Sequence, residues 1–102
     1  MSGSCQVELT RGMTALVDGA DFEFVSQWKW CANKGVRNKT FYAVRGERVG
    51  GVYRRVFMHR AIAMARPGEV VDHRNHDTLD NRRLNLRIGT QRLNLLNRLK
   101  KI

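Results

Sequence analysis

The chain has 102 residues, enough for one compact domain and too few for two ordinary ones. Its 19 lysines and arginines against 9 acidic residues give a formal net charge of +10, which predicts a polyanionic partner. An anionic membrane is disfavoured because the amino terminus has no apolar signal-like region and no segment reaches the ~18 to 20 apolar residues of a membrane span. Nucleic acid is therefore the favoured partner, with a basic surface of no specific function as the alternative.

The excess of positive charge is uneven along the chain. Residues 1–27 hold one arginine against four acids, residues 28–66 hold ten bases against one acid, and residues 67–102 hold eight bases against four acids. We expect the middle and the end of the chain to make the basic face.

The two cysteines, Cys5 and Cys31, are far apart and form no C-x-x-C pair. Their spacing gives no indication of a zinc finger or of a redox motif. We expect both thiols to be reduced, which agrees with a cytoplasmic protein.

The first two-thirds of the chain has the pattern of a small antiparallel β-structure. "CQVEL" alternates and "MTALVD" is a short apolar run, so both are predicted strands. Asp21 is expected to cap a short helical turn through "FEFVSQ". Three more strands, "WKWCA", "TFYAVR" and "VYRRVFM", are separated by the turn-like "NKGVRNK" and "GERVGG", which predicts a three-stranded meander.

Alternation along the last of these strands assigns its side chains to two faces. Tyr53, Arg55 and Phe57 fall on one face, and Arg54, Val56 and Met58 fall on the other. An arginine on each face indicates a curled edge or a surface that meets DNA.

The last third of the chain predicts a helix, two strands and a final helix. "HRAIAMA" is a short helix ended by Pro67-Gly68, with Ile62 facing inward. "EVVDH" and "NLRIG" are short strands joined by the polar loop "RNHDTLDNRR". Thr90 is a plausible N-cap for a helix over 91–99, in which a leucine stripe lies opposite a polar stripe with Asn94 and Asn97.

This order places Asp72 and His73 at the end of one strand, Asn85 at the start of the next and Asn94 in the helix, in the pattern D-H-x11-N-x8-N. The pattern resembles the HNH or ββα-metal nuclease motif, in the variant of phage and intron-encoded homing endonucleases whose final histidine is an asparagine. "WKWCANK", "FYAVR" and "FMHRAIA" also resemble the β-rich amino-terminal portion of those proteins.

The resemblance implies an α+β fold in a single domain over 1–102. A small antiparallel β-meander, about 6–66, would be followed by a ββα-metal (HNH) motif over 69–99. The implied activity is a metal-dependent DNA endonuclease that nicks one strand per active site. The alternative is a DNA-binding module that keeps the ββα shape without catalysis, although it would need no base beside a metal ligand.

The resemblance also implies roles for four residues. His73 would be the general base, since a histidine's ordinary pKa of about 6.5 leaves the ring mostly neutral at pH 7. Asn85 would bond His73 and hold its ring; an asparagine that bonds only the backbone of a hairpin is the alternative. Asp72 and Asn94 would hold one divalent cation, Mg²⁺ or Mn²⁺, because oxygen ligands favour hard ions. Zn²⁺ bound in a crystal would not identify the working ion.

Three further residues have open alternatives. His76 is either a second ligand or proton donor, or a loop residue near phosphate. His59 is either a site residue or a capping or packing histidine. Asn97 is either an alternative ligand or a solvated or DNA-contacting asparagine. Asp80, Asn81 and Arg82 are assigned to structure, as a loop-stiffening element.

The predicted partners are DNA and a second copy of the chain, and no membrane. A symmetric homodimer would enlarge the DNA footprint of so short a domain. Phosphate contacts are predicted for nine basic residues, each of which is alternatively a solvated surface charge: Lys39, Arg45, Arg48, Arg54, Arg55, Arg83, Arg87, Arg92 and Arg98.

Overall fold

The computed structural model describes residues 3–35 and 40–90, and in this part of the chain the strands form three antiparallel sheets. In chain order the elements are β1 Ser4–Glu8, β2 Thr14–Asp18, α1 Gly19–Val25, β3 Cys31–Lys34, β4 Phe41–Val49, β5 Val52–Phe57, α2 Met58–Ala63, β6 Glu69–His73 and β7 Leu86–Thr90. The sheets are β1–β2, the meander β3–β4–β5, and β6–β7. Mixed helices and antiparallel strands agree with the predicted α+β class.

The meander differs from its prediction at the first strand. β3 begins only at Cys31, and Trp28 and Trp30 lie before it with their rings edge to face at 6.4 Å. The indole N–H of Trp30 donates to the carbonyl of Val25 at 2.7 Å. Trp30 is thereby fixed against the end of α1 and buried in the core, which alternation along a strand did not predict.

The structure also differs from the prediction at the start of α1. Asp21 does not cap this helix, because α1 begins at Gly19 and Asp21 lies inside its first turn. Its side chain is buried and accepts two hydrogen bonds from the guanidinium of Arg83. A long-range ion pair therefore determines the position of this carboxylate.

β4 and β5 form a longer hairpin than the sequence predicts. The sequence predicts a turn over the whole of "GERVGG", but β4 runs to Val49, which pairs with Val52. Only Gly50 and Gly51 form the connection, with φ values of 58° and 81°. Positive φ at both central residues matches the type I′ turn, whose twist suits a two-residue hairpin.

The hydrophobic core joins the first sheet, the meander and α2. Val17, Val25, Trp30, Met58 and Ile62 are almost completely buried, which confirms that Ile62 faces inward. Burying an aliphatic side chain of this size contributes about 1.5 to 3 kcal/mol. This packing fixes α2, and with it His59, between β5 and β6.

β6 and β7 have the predicted bounds to within one residue, and they pair antiparallel from Glu69↔Thr90 to His73↔Leu86. The predicted helix over 91–99, with Asn94 and Asn97, lies outside the described residues. Among the described residues, no helix has the length and apolar character needed to span a bilayer.

Candidate active site

The ring of His73 is held by a buried hydrogen bond at the end of β6. Its Nε2 lies 2.8 Å from Oδ1 of Asn81, and the two residues are only 4% and 1% exposed. An amide oxygen can only accept, so the ring proton lies on Nε2. Nδ1 then carries the lone pair that a general base needs.

Backbone bonds to β2 place Asn81 opposite His73. The Leu16 N–H donates to the Leu79 carbonyl at 2.8 Å, and the Asn81 N–H donates to the Leu16 carbonyl at 2.7 Å. This short parallel bridge attaches the loop between β6 and β7 to the first sheet. The position of Asn81 therefore depends on a contact between residues more than sixty positions apart.

The predicted contact between Asn85 and His73 is wrong. The Asn85 Oδ1 accepts from the backbone N–H of Asn75 at 3.0 Å, and its Nδ2 donates to the Asp80 carbonyl at 2.8 Å. The side chain thus bonds backbone on both sides of the loop, which was the alternative interpretation. Asn81, which the sequence assigned to structure, makes the contact with His73.

Asp80 and Arg82 stiffen the same loop, as predicted. The Arg82 guanidinium donates to both Asp80 oxygens at 2.8 and 2.7 Å, and Asn75 Nδ2 adds a third bond at 2.9 Å. The hydrogen bonds from Arg82 hold the pKa of Asp80 below its ordinary value. The charged carboxylate is therefore part of the folded loop.

A pocket of about 490 Å³ opens in front of His73. All three histidines of the chain line it, together with aromatic, polar and charged side chains from the meander, α2 and β6. The rings of His59 and His73 lie 4.9 Å apart between centroids, and Tyr42 lies within 6.4 Å of each. His59 is therefore a site residue as well as a packing residue.

Burial lowers the pKa of His59 to about 3, and the neighbouring His73 and Arg60 act in the same direction. His59 is consequently neutral at physiological pH. The Arg60 side chain lines the pocket, while its guanidinium donates to the carbonyls of Glu69 at 2.6 Å and Arg66 at 3.0 Å. These bonds cap the loop that leads into β6.

His76 reaches the pocket from the loop. It has a φ of 65°, in the left-handed region that non-glycine residues seldom adopt, and its N–H donates to the His73 carbonyl at 3.0 Å. Its side chain is exposed and lines the pocket. His76 is therefore a loop residue of the pocket, and its position is compatible with both predicted alternatives.

Among the described residues that line this pocket, Asp72 is the acidic one. Its Oδ2 accepts from Arg87 Nη2 at 2.9 Å, and its side chain is 35% exposed. A partly open carboxylate next to the imidazole fits a hard divalent cation. Its predicted partner Asn94 lies outside the described residues, and residues 3–35 and 40–90 contain no group of three His, Cys, Asp or Glu side chains close enough to bind a metal.

A family model described as HNH endonuclease matches residues 56–96. Residues 56–96 belong to the HNH endonuclease family. This HNH segment runs from the end of β5 through α2, β6 and β7, and it contains His59, Asp72, His73, Asn81 and Asn85. No curated protein and no solved structure matches the chain.

The arginines that are predicted to contact phosphate differ in their exposure and in their ion pairs. Arg45 is poorly accessible to DNA: its side chain is only 12% exposed, bonds Glu47 and lies 4.1 Å above the Trp28 ring. Arg54, Arg83 and Arg87 each pair with a carboxylate of the protein, those of Glu47, Asp21 and Asp72 respectively. These pairs compete with any phosphate contact.

Two of the predicted residues, Arg48 and Arg55, have no carboxylate partner within the described part of the chain. Arg48 donates weakly to the Gly51 carbonyl at 3.5 Å, and Arg55 lies over the Phe57 ring at 5.5 Å. Lys39, Arg92 and Arg98 lie outside the described residues. The prediction for these three, as for Asn94, stays a prediction.

Proposed function

We propose that this chain is a metal-dependent DNA endonuclease that hydrolyses phosphodiester bonds, with His73 as the general base. The observation that supports it best is the buried hydrogen bond from His73 to Asn81, which fixes the ring and leaves Nδ1 for the proton. The match of residues 56–96 to the HNH endonuclease family supports the same activity.

In this mechanism the Nδ1 of His73 takes a proton from the water that attacks the phosphorus. Asn81 keeps the ring in one orientation and one tautomer, so the lone pair is ready before the substrate binds. His59 packs against the same ring as a neutral imidazole. It therefore adds no positive charge that would oppose protonation of His73 during the reaction.

The proposed metal ligands are Asp72 and Asn94, which would hold one Mg²⁺ or Mn²⁺. A divalent ion beside the phosphate stabilises the negative charge that develops on the phosphoryl group and the leaving oxygen. The Arg87 bond to Oδ2 of Asp72 restricts the orientation of this carboxylate.

A chain with one such site hydrolyses one phosphodiester bond at a time, so we propose a nick as the first product. A double-strand break then requires a second copy, as in a symmetric dimer, or a second binding event. Open circular DNA should therefore precede linear DNA when supercoiled plasmid is the substrate.

The test is plasmid conversion by the wild type and by His73→Ala, with Mg²⁺, with Mn²⁺ and with EDTA. We expect metal-dependent open circles from the wild type, and a loss of about 100-fold or more in the variant, since a general base contributes 10² to 10⁴ in rate. A gel shift with both proteins in EDTA provides the control for DNA binding. Undiminished cleavage by the variant would remove His73 from the mechanism. If neither protein cuts and both shift DNA, the chain is a binding module.

A further inference from the structure

The hairpin of β4 and β5 has two chemically different faces beyond the core. Opposed residues of an antiparallel pair lie on the same face, and the register pairs Gly46 with Arg55, Glu47 with Arg54 and Arg48 with Tyr53. One face therefore carries Arg48, Tyr53 and Arg55, and the opposite face carries Glu47 and Arg54. The two adjacent arginines of the hairpin point to opposite sides.

The first of these faces is continuous with the pocket. Phe57 follows Arg55 on the same face, and Tyr42 lies on that face of β4; both rings line the pocket in front of His73. At about 3.4 Å per residue, Arg55 stands roughly 7 Å and Tyr53 roughly 14 Å beyond Phe57. We call Phe57, Arg55, Tyr53 and Arg48 the ribbon tract.

The charge of the ribbon tract is exclusively positive. Glu47, the acidic residue of the hairpin, lies on the opposite face, where it pairs with Arg54 at 2.6 Å and with Arg45 at 3.2 Å. Within the described residues, neither Arg48 nor Arg55 forms an ion pair. Both cations of the tract are thus available to an external anion.

Tyr53 gives the tract an exposed aromatic surface, since 60% of the residue is accessible. A Cβ placed on Gly46 would lie 2.6 Å from Cε1 and 2.7 Å from the hydroxyl oxygen of this ring. The absence of a side chain at position 46 lets the end of the ring rest on the backbone of β4. The ring is thereby held along the hairpin, between Arg48 and Arg55.

We propose that the ribbon tract binds the DNA duplex that flanks the phosphate in the pocket. Arg55 and Arg48 contact successive backbone phosphates, and Tyr53 packs against the sugar and base edges between them. Cationic and aromatic side chains without an acid match a polyanion whose sugars and base edges also offer apolar contacts, and the major groove admits a two-stranded β-ribbon. The inference rests on the proposed function, and it excludes Arg54 from the DNA contacts that the sequence predicted.

The length of the tract sets the size of this contact. At about 3.4 Å of helix axis per base pair, a tract that reaches roughly 14 Å beyond the pocket covers about four base pairs on one side of the cleaved bond. The tract should therefore add affinity for duplexes that extend beyond the pocket.

The test compares two neighbouring arginines of β5 that occupy opposite faces, Arg55 with no ion pair to a described residue and Arg54 paired with Glu47. Fluorescence anisotropy in EDTA, with a labelled duplex of about 20 base pairs, measures binding without cleavage. We expect Arg55→Gln and Arg48→Gln each to weaken binding about 5- to 10-fold and to reduce the slope of log K against log salt by about 0.9. Arg54→Gln is the matched control, and we expect its affinity to stay within about 2-fold of the wild type.

Two further variants test the aromatic part of the tract. Tyr53→Ala should weaken binding with an unchanged salt slope, because it removes no charge. Gly46→Ala should reproduce this loss by displacing the ring while every arginine is kept. All these positions are exposed, so we expect each variant to fold. Thermal melting of each variant checks this.

The outcomes separate this inference from the nuclease activity. If Arg54→Gln weakens binding as much as Arg55→Gln does, or if none of the tract variants weakens it, the one-sided tract is wrong. Tighter binding to a single strand than to the duplex would overturn the assignment to duplex DNA. A wild type that binds through the tract but never nicks would overturn only the proposed nuclease. If it nicks, the tract variants should raise KM and leave kcat unchanged.

Discussion

The imidazole rings of His59 and His73 lie 4.9 Å apart between centroids and are tilted by 55°. One belongs to α2 and the other to the end of β6, so the contact joins the meander side of the fold to the β6–β7 hairpin. Both residues are buried, at 8% and 4% exposed. Protonation of His59 would therefore place a charge in a buried position.

Acid should therefore destabilise the protein through His59. Its pKa is about 3 in the folded chain and near 6.5 when unfolded, so the unfolded state binds more protons between these values. The stabilisation is complete above pH 6.5 and is lost at about 1.4 kcal/mol per pH unit as the pH falls toward 3. Urea unfolding at pH 7, 5.5 and 4.5 measures this slope.

His59→Gln is the comparison for the acid experiment. The variant keeps His73 and Arg60, the titratable and charged groups that act on His59, and removes only the ring. We expect it to be less stable at pH 7 and to have a flatter dependence on pH. Equal slopes in the two proteins would show that His59 is not the acid-sensitive group.

Asn81 should affect turnover through His73. Asn81→Ala removes the acceptor of the Nε2 proton, and we expect kcat to fall about 10- to 100-fold, as for other residues that orient a functional histidine. Asn81→Asp keeps an acceptor at this position and should recover most of the activity. If both variants lose activity to the same degree while both fold, the hydrogen bond does not position the base.

Asn85 should affect stability. Asn85→Ala removes two side-chain bonds to the backbone, at Asn75 and Asp80, and we expect a loss of about 2 to 3 kcal/mol in the free energy of unfolding. Asn33→Ala, at an exposed position of β3, provides a control for the loss of an amide. A change below about 0.5 kcal/mol for Asn85→Ala, comparable with a surface substitution, would contradict the role of Asn85 in the loop.

Arg83 should also contribute to stability, because it is the partner of a buried carboxylate. Arg83→Gln leaves Asp21 unpaired at 4% exposure, and we expect a loss of about 2 to 3 kcal/mol. The double variant Asp21→Asn with Arg83→Gln should recover part of this loss, since it removes the buried charge. If Arg83→Gln lowers only DNA affinity, Arg83 is a phosphate contact, as the sequence predicted.

The sequence alone predicted the positions of β1, β2, β6 and β7. It also predicted which side chains of β5 lie on the same face. Alternation of apolar and polar residues is a local signal, and it is sufficient where a strand packs on one side. The same alternation assigned Arg54 and Arg55 to opposite faces, and the register of β5 against β4 confirms it. The interval from Asp72 to Asn94 indicated the HNH family, and the match of residues 56–96 confirms it.

Only the tertiary structure decided which asparagine bonds His73. Asn81 and Asn85 lie four positions apart between β6 and β7, and the sequence pattern assigned the contact to Asn85. The distinction comes from β2, whose Leu16 holds the loop through two backbone hydrogen bonds and directs Asn81 toward the ring. Such a contact depends on how distant segments pack together, and short patterns of residues do not encode that packing.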